Sequence, residues 1–336
     1  MRASAAPIGG GADNDWTGLS GIDTSTRYRL MAERQVRGVS PSYERLCIGV
    51  ASDDVLLGRL AELPPPKRQP NLLLGVVRFL GGPMASYEDF RDWVLASWDD
   101  LSATMLARTT QTNEPGRCAT LLPVLAALPQ PLALLEVGSS AGLCLYPDRY
   151  AYRYAGEDGE HVVGASPVEL GCAVTGRVPL PARPPEVAWR AGLDLNPLDV
   201  RDDEDVRWLE SLIWPEQSER FRILRGSVEI ARADPPHLVT GDLVRDLPGL
   251  AAKAPRHATL VVFHSAVLAY VELAGRRAFA AAASRLGACW LSNEAPGVVP
   301  GTAVDTRGAS RFVLARDGRP LALTGPHGGS IDWLSQ

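Results

Sequence analysis

Residues 132–143, LALLEVGSSAGL, constrain the fold of this chain more than any other stretch. A short apolar run that closes on Glu136 and Val137 has the length of a buried strand. The Gly-Ser-Ser-Ala-Gly after it holds only small residues, which let a backbone turn sharply and approach a ligand closely. Strand, small-residue loop and helix together make the unit by which an α/β fold offers helix N–H groups to a nucleotide-like ligand. Gly138 and Gly142 bracket the loop, and Ser140 stands where a middle glycine is expected. Taken alone, the loop fits a plain tight turn as well as a ligand cradle.

The chain beyond the loop decides the fold class. Short apolar runs recur at 187–195, 237–242, 258–271, 288–293, 311–316 and 320–325. Between them lie helical patterns, DDEDVRWLESLIW, SERFRILRGSVEIARA and GRRAFAAAASRLG. Strands that alternate with helices predict a mostly parallel sheet covered on both faces. The last two runs are joined through Asp317-Gly318, a dipeptide suited to a two-residue hairpin. The expected fold is therefore α/β, a mostly parallel sheet completed by an antiparallel C-terminal hairpin.

Before residue 129 the texture is helical, with apolar residues at three- and four-residue intervals from Thr24 to Leu128. Tyr87, Phe90, Val94, Trp98 and Leu101 form one stripe, and Ser86 with Asp89 three residues on reads as a capped start. PPPKRQP at 64–70 breaks the pattern. The expected organisation is residues 1–23 partly disordered, 24–128 a helical domain and 129–336 the sheet domain. Residues 150–185 are read as an inserted β-rich flap over the site.

With 336 residues, 46% hydrophobic and 22% charged, the chain has the composition of a globular protein with a large core. A net charge of −5 gives no basic footprint for nucleic acid, and no stretch has the apolar length of a membrane span. The five cysteines are scattered without a C-x-x-C pair, and no apolar signal segment opens the sequence. A cytoplasmic location with reduced thiols is expected. The five histidines are dispersed as well, so no metal site is expected.

Polar residues at the predicted strand ends are the candidate chemistry. Asp194 in GLDLNPLDV ends the second run, where an acid commonly grips ribose hydroxyls; capping of the next helix by it or by Asp199 is the alternative, and agreement with the first loop in strand order favours the ligand reading. Asn196 turns the chain there. Asp242 in VTGDLVRDLP suits either a base edge or a turn cap. His264 and Ser265 end the fourth run at the edge where crevices form, placed for proton transfer or for packing in the core. Asn293 and Glu294 end the next. In the helical half, TTQTNEPGRC places Gln111, Asn113, Glu114 and Arg117 just before the sheet. Arg117 suits an anionic group, and Asn113 equally suits a helix cap. Trp214 in WPEQSER suits a pocket wall or a join between helices.

Together these pieces resemble the class I methyltransferase-like Rossmann fold from Leu132 to Gln336. The resemblance implies that Glu136, Gly138, Ser140 and Gly142 form an S-adenosylmethionine loop. It implies that Asp194, beside Asn196, takes the ribose, that Asp242 meets the adenine edge, and that His264 faces the substrate. More closely, LLEVGSSAGL, GLDLNPLDV, WPEQSERF, VVFHSAVLAYV and QTNEPGR look like the actinobacterial domain-of-unknown-function-2332 family, a likeness that covers most of the chain. Three departures stand out. Ser140 replaces the middle glycine, Pro147 keeps the first helix short, and FHSA stands where amino-methylating relatives carry N-P-P-Y.

The leading expectation is an S-adenosylmethionine-dependent, methyltransferase-like enzyme acting on a small molecule. His264 is the expected base, with Asn293, Glu294 or Arg117 orienting the substrate. A second reading keeps the fold and replaces methyl transfer by ring closure, another intramolecular displacement or hydrolysis. A third is non-catalytic, a partner subunit or a ligand sensor; for assembly, a homodimer or a partner subunit is the expectation.

Overall fold

The computed structural model describes residues 22–111, 113–306 and 310–334. The disorder expected of residues 1–23 thus concerns a segment outside the described residues, apart from its last two. Asp23 accepts the N–H of Thr26 and caps the first helix.

Among the described residues, seven α-helices build the N-terminal half: α1 (Thr24–Met31), α2 (Pro41–Ala51), α3 (Asp54–Ala61), α4 (Pro70–Phe79), α5 (Tyr87–Ala96), α6 (Trp98–Ala107) and α7 (Cys118–Ala126). Side-chain caps start several of them. The Ser40, Asp53 and Ser86 oxygens each accept an N–H from the first turn of the next helix. The pattern at 86–107 breaks at Ser97, whose ψ of 19° ends α5 and starts α6. The bend lets Phe90 and Val94 of one helix and Trp98, Leu101 and Met105 of the next all become buried.

The remaining elements are β1 (Leu132–Val137), β2 (Ala151–Gly156), β3 (Gly159–Val163), β4 (Glu169–Thr175), β5 (Val187–Asp194), α8 (Asp203–Leu212), α9 (Ser218–Ala233), β6 (His237–Thr240), α10 (Leu247–Ala251), β7 (Thr259–Ser265), α11 (Leu273–Arg285), β8 (Cys289–Glu294), β9 (Phe312–Arg316), β10 (Arg319–Thr324) and β11 (Ser330–Trp333). One sheet of eleven strands takes them in the order β3-β2-β4-β11-β10-β9-β8-β7-β1-β5-β6. From β8 to β6 every pairing is parallel, whereas β8, β9, β10 and β11 pair antiparallel in succession. The architecture is mixed α/β with a mostly parallel centre. Asp317 and Gly318 both have positive φ, 52° and 76°, as a two-residue hairpin turn requires. Residues 150–185 supply β2, β3 and β4, which lengthen the sheet beyond β11.

Alternation along β1 assigns its two faces. Leu132 and Leu134 join a core cluster that runs into the helical half, while Leu135 and Val137 join a second with Leu247, Leu250 and Phe279 of α10 and α11. The chain order reverses at β1, since β5 lies on one side and β7 on the other. Such a switch point opens a crevice beyond the carboxyl ends of the strands. Among the described residues, no helix is long and apolar enough to cross a membrane.

WPEQSER clasps the two halves. The Trp214 indole donates to Asn71 Oδ1 at 3.2 Å and lies 6.1 Å from the Tyr43 ring. Glu216 accepts the Ser40 hydroxyl at 2.5 Å and the Ser42 N–H at 2.9 Å, at the N-terminus of α2. Trp214 therefore packs between the halves. Glu216→Ala is expected to lower the free energy of unfolding by about 1–2 kcal/mol, read from urea denaturation.

Candidate functional site

The loop after β1 is a series of left-handed turns tied to β5. Gly138, Ser140 and Gly142 have φ of 69°, 49° and 71°. Ser140 thus adopts the conformation that its replaced glycine would favour. The Gly138 N–H donates to Leu193 O at 2.8 Å, the Ser140 N–H to Asp194 Oδ2 at 2.7 Å, and the Leu198 N–H to Ser140 O at 3.2 Å. The helix expected after the loop is only the 3₁₀ turn Leu143–Leu145. Pro147 comes next, and the Tyr150 and Tyr152 hydroxyls take the carbonyls of Leu143 and Pro147, which turn the chain away into β2. The loop therefore has no long helix behind it to supply N–H groups.

Gly138 is a glycine because the protein approaches it. A Cβ there would lie 2.3 Å from Val267 Cγ2. Ser139 likewise fills a hole, since a Cβ on Gly192 would stand 2.4 Å from its Oγ.

The acids at the strand ends also bind backbone. Asp194 accepts the Asn196 N–H at 2.8 Å besides that of Ser140, and the Asn196 carbonyl accepts Gln111 Nε2 at 2.6 Å. Leu195 between them is 75% exposed. Asp242 Oδ1 accepts the N–H groups of Val244 and Arg245 and so caps a turn.

QTNEPGR lies directly on this loop. Asn113 donates through Nδ2 to Ser139 O and accepts the Leu143 N–H at Oδ1, both at 3.1 Å, and so bridges the two sides of the turn. Arg117 is buried, donating from Nε to Pro326 O and from Nη1 to Ser265 O, each at 2.9 Å. Glu114 is gripped by Arg220 of α9 at 2.6 Å and by His327 of the β10–β11 turn at 3.1 Å. Burial alone would raise the Glu114 carboxyl, but the Arg220 and His327 charges outweigh it and bring it down to about 2.

The expected catalytic set divides between the two sheet faces. On the α11 face, His264 Nδ1 donates to Glu294 Oε1 at 2.7 Å, and the Trp290 indole donates to His264 Nε2 at 3.1 Å. A ring that accepts at Nε2 and donates at Nδ1 is a neutral imidazole. It is fully buried, 5.2 Å from the Phe279 ring. The same Glu294 oxygen accepts the Val267 and Leu268 N–H groups at 2.9 and 3.1 Å. This carboxylate therefore fixes the loop that carries Val267. On the α7 face, Asn293 Nδ2 donates to Ser265 Oγ at 3.1 Å and Asn293 Oδ1 accepts the Thr324 hydroxyl at 2.7 Å. Neighbours in a strand point to opposite sides, so Asn293 and Glu294 cannot serve one pocket on one face. That signal was present in the sequence.

The α7 face brings together Glu136, Arg117, Ser140 and Asn113, and adds Cys118 and Cys144, which the sequence showed only as scattered thiols. Cys144 donates to Glu114 O at 3.2 Å and Cys118 to Cys144 O at 3.4 Å. Val267 carried no motif that could have marked it. Several buried oxygens on and near the loop have no hydrogen-bond partner: Glu136 Oε2, Ser139 Oγ, Ser140 Oγ and, on the other face, Glu294 Oε2. Burial, then the Cys144 thiol, push the Glu136 carboxyl well up, against the opposing charge of Arg117. Such groups suit hydrogen bonding to a ligand.

A family model described as "Uncharacterized protein conserved in bacteria (DUF2332)" matches residues 25–333. No curated protein and no solved structure matches the chain.

Two outcomes test this geometry. Gly138→Ala is expected to destabilise by about 3 kcal/mol or more through overpacking and left-handed strain. Adding Val267→Ala should recover part of that loss in a thermal or urea double-mutant cycle. Glu114→Gln should lose on the order of 3 kcal/mol at neutral pH. A carboxyl lowered on folding stabilises above its ordinary value and loses that contribution on acidification. The gap to wild type should therefore close as pH falls from about 4.5 to about 2, tracked by urea denaturation.

Proposed function

The chain belongs to this bacterial DUF2332 family, and we propose that it is an S-adenosylmethionine-dependent, methyltransferase-like enzyme acting on a small molecule at the β1/β7 crevice. The observation that carries the reading is the pair of buried, unpartnered oxygens at the switch point, Glu136 Oε2 and Ser140 Oγ. Native proteins leave few such atoms unsatisfied, and a polar ligand satisfies them. The residues present fit the cofactor. Glu136 and Ser140 offer acceptors to its amino-acid end, and Asp194 retains lone pairs for ribose hydroxyls. Leu195 offers an exposed apolar side chain beside that acid. When bound, the cofactor supplies an activated methyl group.

The chain's own residues then act by placement. Asn113 and Asp194 hold the loop in its left-handed form from two sides. Glu294, itself oriented by His264, fixes the loop that presses Val267 onto Gly138. His264 is a positioning residue in this scheme, since both its ring nitrogens are engaged. Rate enhancement comes from holding acceptor and methyl donor in line.

Val267 also favours a second reading. Its contact with Gly138 narrows the loop, and Asp242 is engaged in its own turn. A substrate without an adenosyl group, undergoing ring closure or hydrolysis on the α7 face, suits that narrower space. Calorimetry with S-adenosylhomocysteine separates the two. Binding by wild type, weakened at least about tenfold in Asp194→Ala, is the expected result. No heat of binding at millimolar ligand would sink the cofactor reading in favour of the second.

A further inference from the structure

Glu136 closes β1 on the face shared with α7 and is 6% exposed. Its Oε2 accepts no hydrogen bond. The charged and titratable groups around it come from each element packed there. Cys144 faces it from the turn after the loop, Arg117 from the turn before α7, and Asp194 from the end of β5. Cys118 and Glu114 stand behind Cys144. Arg117 spends Nε and Nη1 on the carbonyls of Pro326 and Ser265, so its cation acts on Glu136 through space. Arg220 and His327 are paired with Glu114.

An ionised carboxylate in such a place has lost its hydration without gaining a donor for one oxygen, which is costly. A proton removes that cost. A ligand cation removes it as well, and fills the vacant acceptor with a charge-assisted hydrogen bond. We propose that Glu136 carries a proton in the free protein and exchanges it for a cationic nitrogen of the ligand, so that binding releases a proton to solvent. The inference rests on the cofactor reading above, whose ligand carries a primary ammonium group. The balance is simple. The carboxylic O–H gives its proton to buffer, the carboxylate accepts an ammonium N–H, and no bond to carbon forms or breaks.

Burial and the Cys144 thiol, which raise the Glu136 carboxyl, set the sign. Below the raised value, the free site must lose its proton before it can take the cation. Affinity therefore falls about tenfold per pH unit of acidification in that range, and levels off above it.

Two measurements decide the matter. Infrared spectra of the ligand-free protein should show the carbonyl stretch of a protonated carboxyl that is absent from Glu136→Gln. Titration with S-adenosylhomocysteine on the acidic side of the pH at which affinity levels off, in buffers of different ionisation enthalpy, should give release of about one proton by wild type and none by Glu136→Gln. Binding without proton release, or no such infrared band in wild type, overturns the inference while leaving the cofactor reading intact. No binding in any buffer overturns the cofactor reading and with it the exchange, and the infrared band then shows whether Glu136 still holds its proton. Should Glu136→Gln fail to fold, the proton count and band of wild type alone decide.

Discussion

A carboxylate that reaches across from one strand end to the next loop organises the carboxyl edge of this sheet. Asp194 takes the Ser140 N–H at 2.7 Å and the Asn196 N–H at 2.8 Å. A buried loop must satisfy its backbone donors somewhere, and the three residues after β1 have no long helix to absorb them. With the Ser140 N–H held, left-handed φ at a non-glycine residue, unfavourable by about 1–2 kcal/mol, becomes tolerable. Asn113 closes the other side, standing in for a backbone group at Ser139 and Leu143. The helical half therefore does more than cover the sheet, because a side chain from its last loop completes the turn at the crevice.

A second carboxylate performs the same service one crossover away. Glu294 gathers the His264 ring and two loop N–H groups on a single oxygen, next to Ala266 at φ 57°. The loop it fixes presses Val267 onto Gly138. The two acid-held loops thus meet at the switch point, and the glycine is required by their contact with each other. This is a different reason for glycine than close approach of a ligand, though the two produce the same residue.

The parallel half of the fold was legible in the sequence because its cues are local. The strands at 132–137, 187–194 and 289–294 lie within a residue or so of the apolar runs that predict them, and Asp317-Gly318 turns as that dipeptide should. The break at Ser97 was less legible, since a stripe of apolar residues survives a bend when both segments bury it. The shortened helix after the loop was announced only by Pro147. The candidate site was legible as a set of strand-end residues and illegible as a geometry. His264 and Glu294 meet each other, and Asn293 meets Ser265 and Thr324, because consecutive strand positions face opposite layers. Cys118 and Cys144 touch through a fold that places the start of α7 on the turn after β1, a contact 26 residues apart in the chain.

The contrast between the two faces bears on where chemistry belongs. On the α11 face, the polar groups close among themselves. Both His264 nitrogens are engaged, and one Glu294 oxygen holds three donors while the other stands alone. On the α7 face, closure is incomplete. Arg220 and Glu114 neutralise each other, and Arg117 donates from Nε and Nη1 to carbonyls, which leaves Glu136 with a thiol beside it and an oxygen with no donor. A half-satisfied buried network destabilises a fold more than an apolar one of the same shape would. Its retention beside a strained loop, at the switch point of the parallel strands, is the pattern expected where local stability yields to binding. In the proposed reading the α7 face is the side that offers an open acceptor to a ligand, and the α11 face is the support that fixes the loop carrying Val267.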